Sequence, residues 1–100
     1  MITTPVFDID TPLNTLEAAL YPNPANGSSV IELNNPETGK VQIDIYSITG
    51  MQLRTIYTGN LVRGVHFLPL LDKINNLPGG MYVLRIQAKN KSRSLKMIIQ

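Results

Sequence analysis

The chain has 100 residues, a formal net charge of +2 and no cysteine, and 43% of its residues are hydrophobic. This length fits one domain, since domains cluster at about 100–150 residues, and it leaves little room for a deep catalytic cleft. The absence of cysteine excludes disulfides, thiolate metal sites and cysteine nucleophiles. The sequence contains neither a signal peptide nor an apolar run of about 18 residues. If the domain is exported, its export signal is therefore expected upstream on a longer protein.

The first part of the chain differs in composition from the rest. Residues 1–17 are rich in Thr, Pro and Asp and carry isolated apolar residues without a sustained period. This composition predicts a linker from an upstream domain, and the folded domain is predicted to span residues 18–100. Seven short apolar segments, separated by Gly, Pro and Asn, occupy residues 16–21, 29–33, 41–46, 51–57, 65–71, 81–88 and 94–99.

The spacing within these segments indicates β-strands. Val41, Ile43 and Ile45 alternate with residues of the opposite face, which is the period-two pattern of a half-buried strand. Pro69 predicts an edge strand or a bulge, because proline cannot donate to a hydrogen-bond ladder. No amphipathic helix separates the segments, and the short connections favour antiparallel neighbours. We therefore predict an all-β fold, an immunoglobulin-like antiparallel β-sandwich of about seven strands.

Candidate catalytic and metal-binding groups are few. His66 is the only histidine, and it is predicted to face the surface, opposite to Val65 and Phe67. Asp8 and Asp10 have the spacing of a partial calcium site, but calcium takes about six to eight oxygen ligands and no further acidic cluster follows. We therefore predict no enzyme activity, no metal and no cofactor. The sequence has no phosphate-binding loop. Six glycines are instead interpreted as turn residues that tolerate positive φ, namely Gly27, Gly50, Gly59, Gly64, Gly79 and Gly80.

Residues 79–100 are unusual because chain ends are commonly polar and loosely held. They form a glycine turn, an apolar strand, a basic segment at residues 89–93 and a second apolar strand. The basic segment is predicted to be a hairpin loop, in which solvated charge is ordinary. A final strand at a sheet edge offers unpaired backbone groups, so β-augmentation by a partner is one interpretation of this terminus. Completion of the sandwich core is the other interpretation, and the two are compatible.

Several segments together resemble one protein family, the C-terminal sorting domain of the type IX (Por) secretion system. The likeness covers about residues 18–100, and residues 41–50 resemble the family's middle segment. Its opening YPNP motif is matched by Tyr21, Pro22, Asn23 and Pro24. The segments that resemble its G-x-Y strand and its closing lysine-apolar strand are Gly80, Met81 and Tyr82, and Lys96, Met97, Ile98 and Ile99.

The resemblance implies a non-enzymatic function. In this family of the Bacteroidetes, the domain is the C-terminal tail of a larger exported protein. It directs its cargo across the outer membrane, and a sortase-like surface peptidase then generally removes it. The implied partners are the type IX translocon, outer-membrane shuttle components, that peptidase and the upstream cargo domain in the same chain, with no nucleic acid. The implied location is the periplasm in transit, and then the cell surface or the medium.

The resemblance also carries roles to individual residues. A role in shaping the turn after the first strand is carried over to Tyr21, Pro22, Asn23 and Pro24. A role in sorting and translocon recognition is carried over to Gly80, Met81, Tyr82, Lys96, Met97, Ile98 and Ile99. Residues 1–17 contain no recognisable cleavage signal, although an exposed stretch before Leu16 is the natural place for a cut.

A second interpretation stays open, namely an adhesive or carbohydrate-binding β-sandwich module that is retained on a cell-surface protein. Binding modules of this size usually expose aromatic platforms, and this chain has four tyrosines, two phenylalanines and no tryptophan. Tyr82 shares a face with Leu84 and Ile86 and is predicted to pack in the core. Tyr46 lies opposite the apolar face of its strand and is predicted to be exposed.

Overall fold

The computed structural model describes residues 15–100, which form seven β-strands and no helix. The strands are β1 (Glu17–Tyr21), β2 (Val30–Asn35), β3 (Gly39–Ser47), β4 (Gln52–Leu61), β5 (Gly64–Pro69), β6 (Gly80–Ala88) and β7 (Lys91–Ile99). All seven predicted strands are present in this part of the chain, and it contains no helix able to cross a membrane. Asp8 and Asp10, which suggested a partial calcium site, lie outside the described residues.

The strands form two antiparallel sheets. One sheet has three strands in the order β1-β2-β5, and the other has four in the order β4-β3-β6-β7. With the strands lettered A to G along the chain, these sheets are ABE and DCFG. The constant-type immunoglobulin domain has ABED and CFG, so the fourth strand here lies on the opposite sheet. The predicted antiparallel β-sandwich of seven strands is confirmed.

The core is built from alternate residues of the two inner faces. Val41, Ile43 and Ile45 of β3 have no exposed surface, as the period-two pattern predicted. Burying one such side chain contributes about 1.5–3 kcal/mol relative to leaving it exposed. Both sheets contribute to a single apolar cluster, whose most deeply buried members are Ile31, Leu33, Val41, Ile43, Ile45, Leu70, Leu84, Ile86 and Met97.

Strand direction places Thr15 and Gln100 at opposite ends of the sandwich. β1 starts beside the start of β7, where an ion pair joins Glu17 to Arg93. β7 runs away from that point and finishes beside the β1–β2 loop, where Ala25 forms a parallel bridge with Ile99. At about 3.3 Å per residue, the nine residues of β7 separate the two ends by about 30 Å. The segment that precedes β1 therefore joins the sandwich far from residue 100.

One predicted turn is wrong. Residues 58–60 have turn-forming composition, yet Gly59 lies inside β4 and pairs with Val41. β3 extends back to Gly39, so β4 continues along it and a paired backbone overrides the local turn preference. The interpretation of glycines as residues with positive φ is correct at Gly50 and Gly64, where φ is 96° and 130°.

The predicted loop at residues 89–93 is also too long. Lys91 and Arg93 lie in β7, where Lys91 pairs with Ala88. The connection is therefore the two residues Lys89 and Asn90. Lys89 takes a left-handed backbone with φ of 56°, and this tight reversal lets the ladder begin three residues earlier than the apolar pattern indicated. Lys91 and Arg93 pair with the buried residues Ala88 and Ile86, but both remain exposed on this edge strand. The apolar pattern therefore did not show the strand extension.

In β5 the predicted alternation is correct, but its direction is reversed. Val65 and Phe67 are the exposed residues, whereas His66 is half-buried. His66 pairs with Leu33, a core residue, so both side chains point to the inner side of the sheet. The apolar character of a residue therefore did not decide its face here. β5 pairs only with β2, which confirms the edge strand predicted from its proline.

The outer face of the four-stranded sheet carries a buried carboxylate. Asp44 is 1% exposed, although it points away from the core. It accepts hydrogen bonds from Thr55 Oγ1 at 2.7 Å, Gln42 Nε2 at 3.1 Å and Gln52 Nε2 at 3.3 Å. A buried carboxylate is tolerated where its oxygens accept hydrogen bonds. These donors come from β3 and β4, so they also hold this face of the sheet in one arrangement.

The burial of Leu84 in the core predicts a large loss of stability when its side chain is truncated. Leu84→Ala removes a side chain that has no exposed surface, and it is expected to lower the free energy of unfolding by about 2–5 kcal/mol through lost burial and a residual cavity. Gln87→Ala on the outer face of the same strand is the control, with an expected change within about 0.5 kcal/mol. Denaturant unfolding followed by circular dichroism measures both, and equal effects would contradict the assignment of the two faces.

Candidate functional site

β6 and β7 form the hairpin that contains every residue to which a sorting role was carried over. Its nine pairs run from Gly80 with Ile99 to Ala88 with Lys91. Gly80 has a φ of 152°, a backbone conformation that favours glycine. A Cβ on Gly79 would lie 3.1 Å from the carbonyl carbon of Gln100. Glycine at position 79 therefore allows the last residues of the chain to lie close against the start of β6, whereas Gly80 supplies the backbone conformation.

Two of the candidate sorting residues belong to the core. Tyr82 and Met97 are cross-strand partners on the inner face, with 8% and no exposed surface respectively. The phenol of Tyr82 donates a hydrogen bond of 2.5 Å to the carbonyl oxygen of Pro78. This bond ties β6 to the loop that precedes it. Burial leaves Tyr82 and Met97 little surface to offer to a partner, so their direct role in the described structure is to hold the hairpin.

Three other candidates lie on the outer face. Met81 pairs with Ile98, and in the next row Val83 pairs with Lys96. Met81 is 47% exposed and Lys96 is exposed, whereas Ile98 is half-buried. The remaining candidates, Gly80 and Ile99, lie at the start and end of the hairpin. The hairpin thus divides the candidate residues into an inner set that is buried and an outer set that is accessible.

The loop after β1 is tied to the last strand by an asparagine side chain. Asn23 Nδ2 donates to the Lys96 carbonyl at 3.0 Å, and Asn23 Oδ1 accepts from the Ile98 amide at 2.9 Å. The backbone amide of Ala25 then donates to the Ile98 carbonyl at 2.6 Å. One side-chain amide therefore bonds the backbone of β7 as a neighbouring strand would. We call these three hydrogen bonds the Asn23 clamp.

Local contacts hold the Asn23 clamp in position. The Tyr21–Pro22 and Asn23–Pro24 peptide bonds are both cis. Ser29, which has no exposed surface, donates from Oγ to the Pro22 carbonyl at 2.8 Å and accepts from the Asn26 amide at 3.0 Å. These bonds fix both sides of the proline turn to the start of β2. The turn that contains Pro22 and Asn23 is therefore held by hydrogen bonds to Ser29 and to β7.

Tyr21 anchors the other side of this turn. Its phenol donates a hydrogen bond of 2.8 Å to Glu32 Oε1 across the β1–β2 ladder. That bond, and to a smaller degree burial and the negative charge of Glu32, raises the pKa of the Tyr21 phenol above its ordinary value. The ring lies on the outer face of the three-stranded sheet and remains 44% exposed.

The Asn23 clamp corrects one expectation. The final strand was expected to offer unpaired backbone groups, but the carbonyls of Lys96 and Ile98 and the amide of Ile98 already have partners. The edge of β7 is thus closed at the position where β-augmentation was considered. A partner that adds a strand there has to displace Asn23 first. The physical reason is general, because an open edge strand is an aggregation hazard that folds commonly cover.

The basic residues of the hairpin differ in their surroundings. Arg93 forms an ion pair with Glu17, and Lys89 lies 3.8 Å from a carboxylate oxygen of Glu37. Both pairs are largely exposed and contribute little to stability. Lys96 forms no ion pair within residues 15–100. Over the same range, no group of three or more His, Cys, Asp or Glu side chains is placed to hold a metal ion.

The strands define a small two-sheet β-sandwich whose C-terminal strand pairs with β6 and is bonded on its other edge at Lys96 and Ile98. The comparison with protein families identifies its relatives. The family model for the secretion system C-terminal sorting domain matches residues 19–100. The chain belongs to this family, the type IX secretion sorting domains, which confirms the resemblance drawn from the motifs. A search of curated proteins found no match.

Sequence reasoning located the hairpin but missed the Asn23 clamp. The contact joins residues that are 73 and 75 positions apart, so no local pattern shows it. Asp44 alternates with Ile43 and Ile45 and so lies on the outer face, but its hydrogen bonds to Gln52 and Thr55 of the neighbouring strand are not visible in any local pattern.

The clamp can be tested by Asn23→Ala. This substitution leaves the Ile98 amide and the Lys96 carbonyl without their side-chain partner, so it is expected to cost about 1–3 kcal/mol. Amide hydrogen exchange at Ile98 is expected to accelerate by tenfold or more, since about 1.4 kcal/mol is a factor of ten. Asn60→Ala, at an exposed position of β4, is the matched control. Unchanged exchange at Ile98 would mean that Asn23 does not close the edge.

Proposed function

We propose that residues 18–100 are a non-enzymatic sorting domain that directs an upstream cargo across the outer membrane through the type IX machinery. The observation that carries the proposal is the match of the family model to residues 19–100. The geometry of the terminal hairpin supports it, because the motif residues that remain accessible lie together on one outer face. The domain acts as a folded sorting signal, and the cargo supplies the activity of the whole protein.

The position of the chain ends is compatible with this function. The segment before β1 joins the sandwich at the end opposite to Ile99, so a cargo attached there is remote from Met81 and Ile98 at the other end of the hairpin. Because Glu17 begins β1, we propose that the linker to that cargo ends before Leu16 and that a sortase-like surface peptidase cuts within it. Leu16 itself is 3% exposed and belongs to the core. Its burial would protect the chain from cleavage at or after this residue. The protein would then pass through the periplasm to the cell surface or the medium.

We assign different roles to the two sets of motif residues. Met81, Lys96 and Ile98 are proposed to contact the translocon or a shuttle component directly. Tyr82 and Met97 are proposed to act through the fold, because their substitution would disturb the core first. A truncation of the last five residues therefore removes a core side chain along with the contact surface and does not separate recognition from folding. Point substitutions on the outer face do so.

The export prediction uses the full 100-residue chain fused behind a periplasmic reporter in a type IX-competent host. The reporter is expected on the cell surface or in the medium. Lys96→Glu is expected to reduce export about tenfold or more, because it reverses an exposed charge without touching the core. Surface labelling and fractionation measure the distribution of the reporter.

Lys91→Glu is the matched control, since it makes the same charge change at an exposed position of the same strand. It is expected to be exported as well as the parent fusion. A folded parent fusion that stays in the periplasm would refute the sorting function. Equal export of the Lys96 and Lys91 variants would limit the terminal lysine to a structural role.

One observation favours the second candidate function, a retained adhesive or carbohydrate-binding module. Tyr21 and Phe67 are both exposed on the outer face of the three-stranded sheet, and both are adjacent to Glu32. Mass analysis of the mature secreted protein separates the two functions. Loss of the domain from the mature protein is the expected result, and retention would favour the binding module.

A further inference from the structure

A depression opens on the outer face of the four-stranded sheet, beside the terminal hairpin. It has a volume of about 270 Å³ and is lined by Tyr46, Ser47, Ile48, Gly50, Val83, Arg85 and Ser94. These residues come from β3, the β3–β4 turn, β6 and β7, so the depression exists only in the assembled sheet. We call it the Val83 depression, because Val83 pairs with Tyr46 on one side and with Lys96 on the other.

The apolar part of this surface is accessible. Ile48 is 68% exposed in the β3–β4 turn, and Tyr46 and Val83 are half-buried. The pair of Met81 and Ile98 occupies the next row of the same face. An exposed group of large apolar side chains of this kind is typical of a site that contacts another molecule. The Val83 depression therefore continues the surface formed by the accessible motif residues.

The polar part of this surface is positively charged. Arg85 and Lys96 both lie beside Val83, and within residues 15–100 neither forms an ion pair. Asp44 is the register partner of Arg85, but its carboxylate is buried and bonded to Thr55 and two glutamines. The guanidinium is thus left without a carboxylate partner in the described structure. An apolar depression beside two unpaired cations is complementary to an apolar group beside an anion.

The closed edge of β7 decides how a partner approaches. Because the Asn23 clamp occupies the backbone of Lys96 and Ile98, strand addition at these two residues requires its displacement. The outer face remains open over the same residues. Contact through side chains on this face requires no displacement of the clamp, whereas strand addition requires the loss of its hydrogen bonds. A face-on contact is therefore the less costly mode.

We propose that the Val83 depression docks a protein partner through an apolar side chain that is flanked by acidic residues. The apolar side chain enters between Tyr46, Ile48 and Val83, and the acidic residues pair with Arg85 and Lys96. The volume of about 270 Å³ lies below the roughly 300–1,000 Å³ of small-molecule pockets and suits one or two side chains. A lipid with several acyl chains needs a longer groove. This inference rests on the proposed sorting function and identifies the chemistry of the partner.

The first test uses the full chain fused to a periplasmic reporter in a type IX-competent host. Arg85→Glu and Ile48→Asp are expected to reduce surface export about tenfold. The matched controls are Arg63→Glu and Val62→Asp, which make the same changes at exposed positions of the β4–β5 turn, at the other end of the sandwich. Thermal unfolding of the purified variants verifies that all of them fold.

The second test identifies the partner by its chemistry. A photocrosslinking amino acid at position 48 is expected to yield an adduct whose partner peptide contains Asp or Glu next to a large apolar residue. The same probe at position 62 is the control and is expected to give no such adduct. Replacing the acidic partner residue by Lys is then expected to restore export of the Arg85→Glu variant, because the charge pair is re-formed with opposite signs.

The outcomes separate the two proposals. A parent fusion that is not exported refutes the sorting function and this inference with it. Parent export with undiminished export of the Arg85 and Ile48 variants refutes only the docking site. A crosslink at position 48 to lipopolysaccharide, or a charge swap that fails to restore export, also overturns it. Export that requires strand addition would instead be raised by Asn23→Ala, which opens the edge.

Discussion

The C-terminal strand is held from both sides, and the remaining features of the domain depend on this constraint. On one side β7 pairs along its whole length with β6. On the other side Asn23 and Ala25 bond the backbone of Lys96 and Ile98. Chain ends usually fray because few contacts oppose their conformational entropy. Here a core side chain, Met97, and contacts to the first loop of the fold hold the end in a defined position.

This constraint explains why a sorting signal would take the form of a folded domain. The accessible motif residues, Met81, Lys96 and Ile98, share one face only when the hairpin is formed. The same hairpin buries Tyr82 and Met97, and its outer edge is closed by a loop that lies more than 70 residues earlier in the chain. A short peptide of the same composition has neither the common face nor the closed edge. It would instead offer a free strand for non-specific pairing.

The sequence predicted the fold well where hydrophobic period and position agreed. The seven strands, the edge position of β5 and the inward face of β3 follow from local patterns. Predictions failed where a partner strand overrode local preference: Gly59 continues β4, Lys91 extends β7, and His66 faces inward opposite Leu33. In the candidate site, the motifs located the hairpin, and the period of β6 correctly placed Tyr82 in the core. Neither signal separated the buried from the accessible residues of β7 or showed the Asn23 clamp.

By itself, then, the sequence determined the fold class, the family and the segments that carry its motifs, because period-two patterning and turn residues act over a few positions. Only the tertiary structure decided which residues of the last strand stay accessible and how that strand is closed. It also brought Tyr46, Val83 and Arg85 together beside Lys96. These features arise from contacts between residues far apart in the chain. Such contacts depend on sheet order and register, which no local pattern specifies.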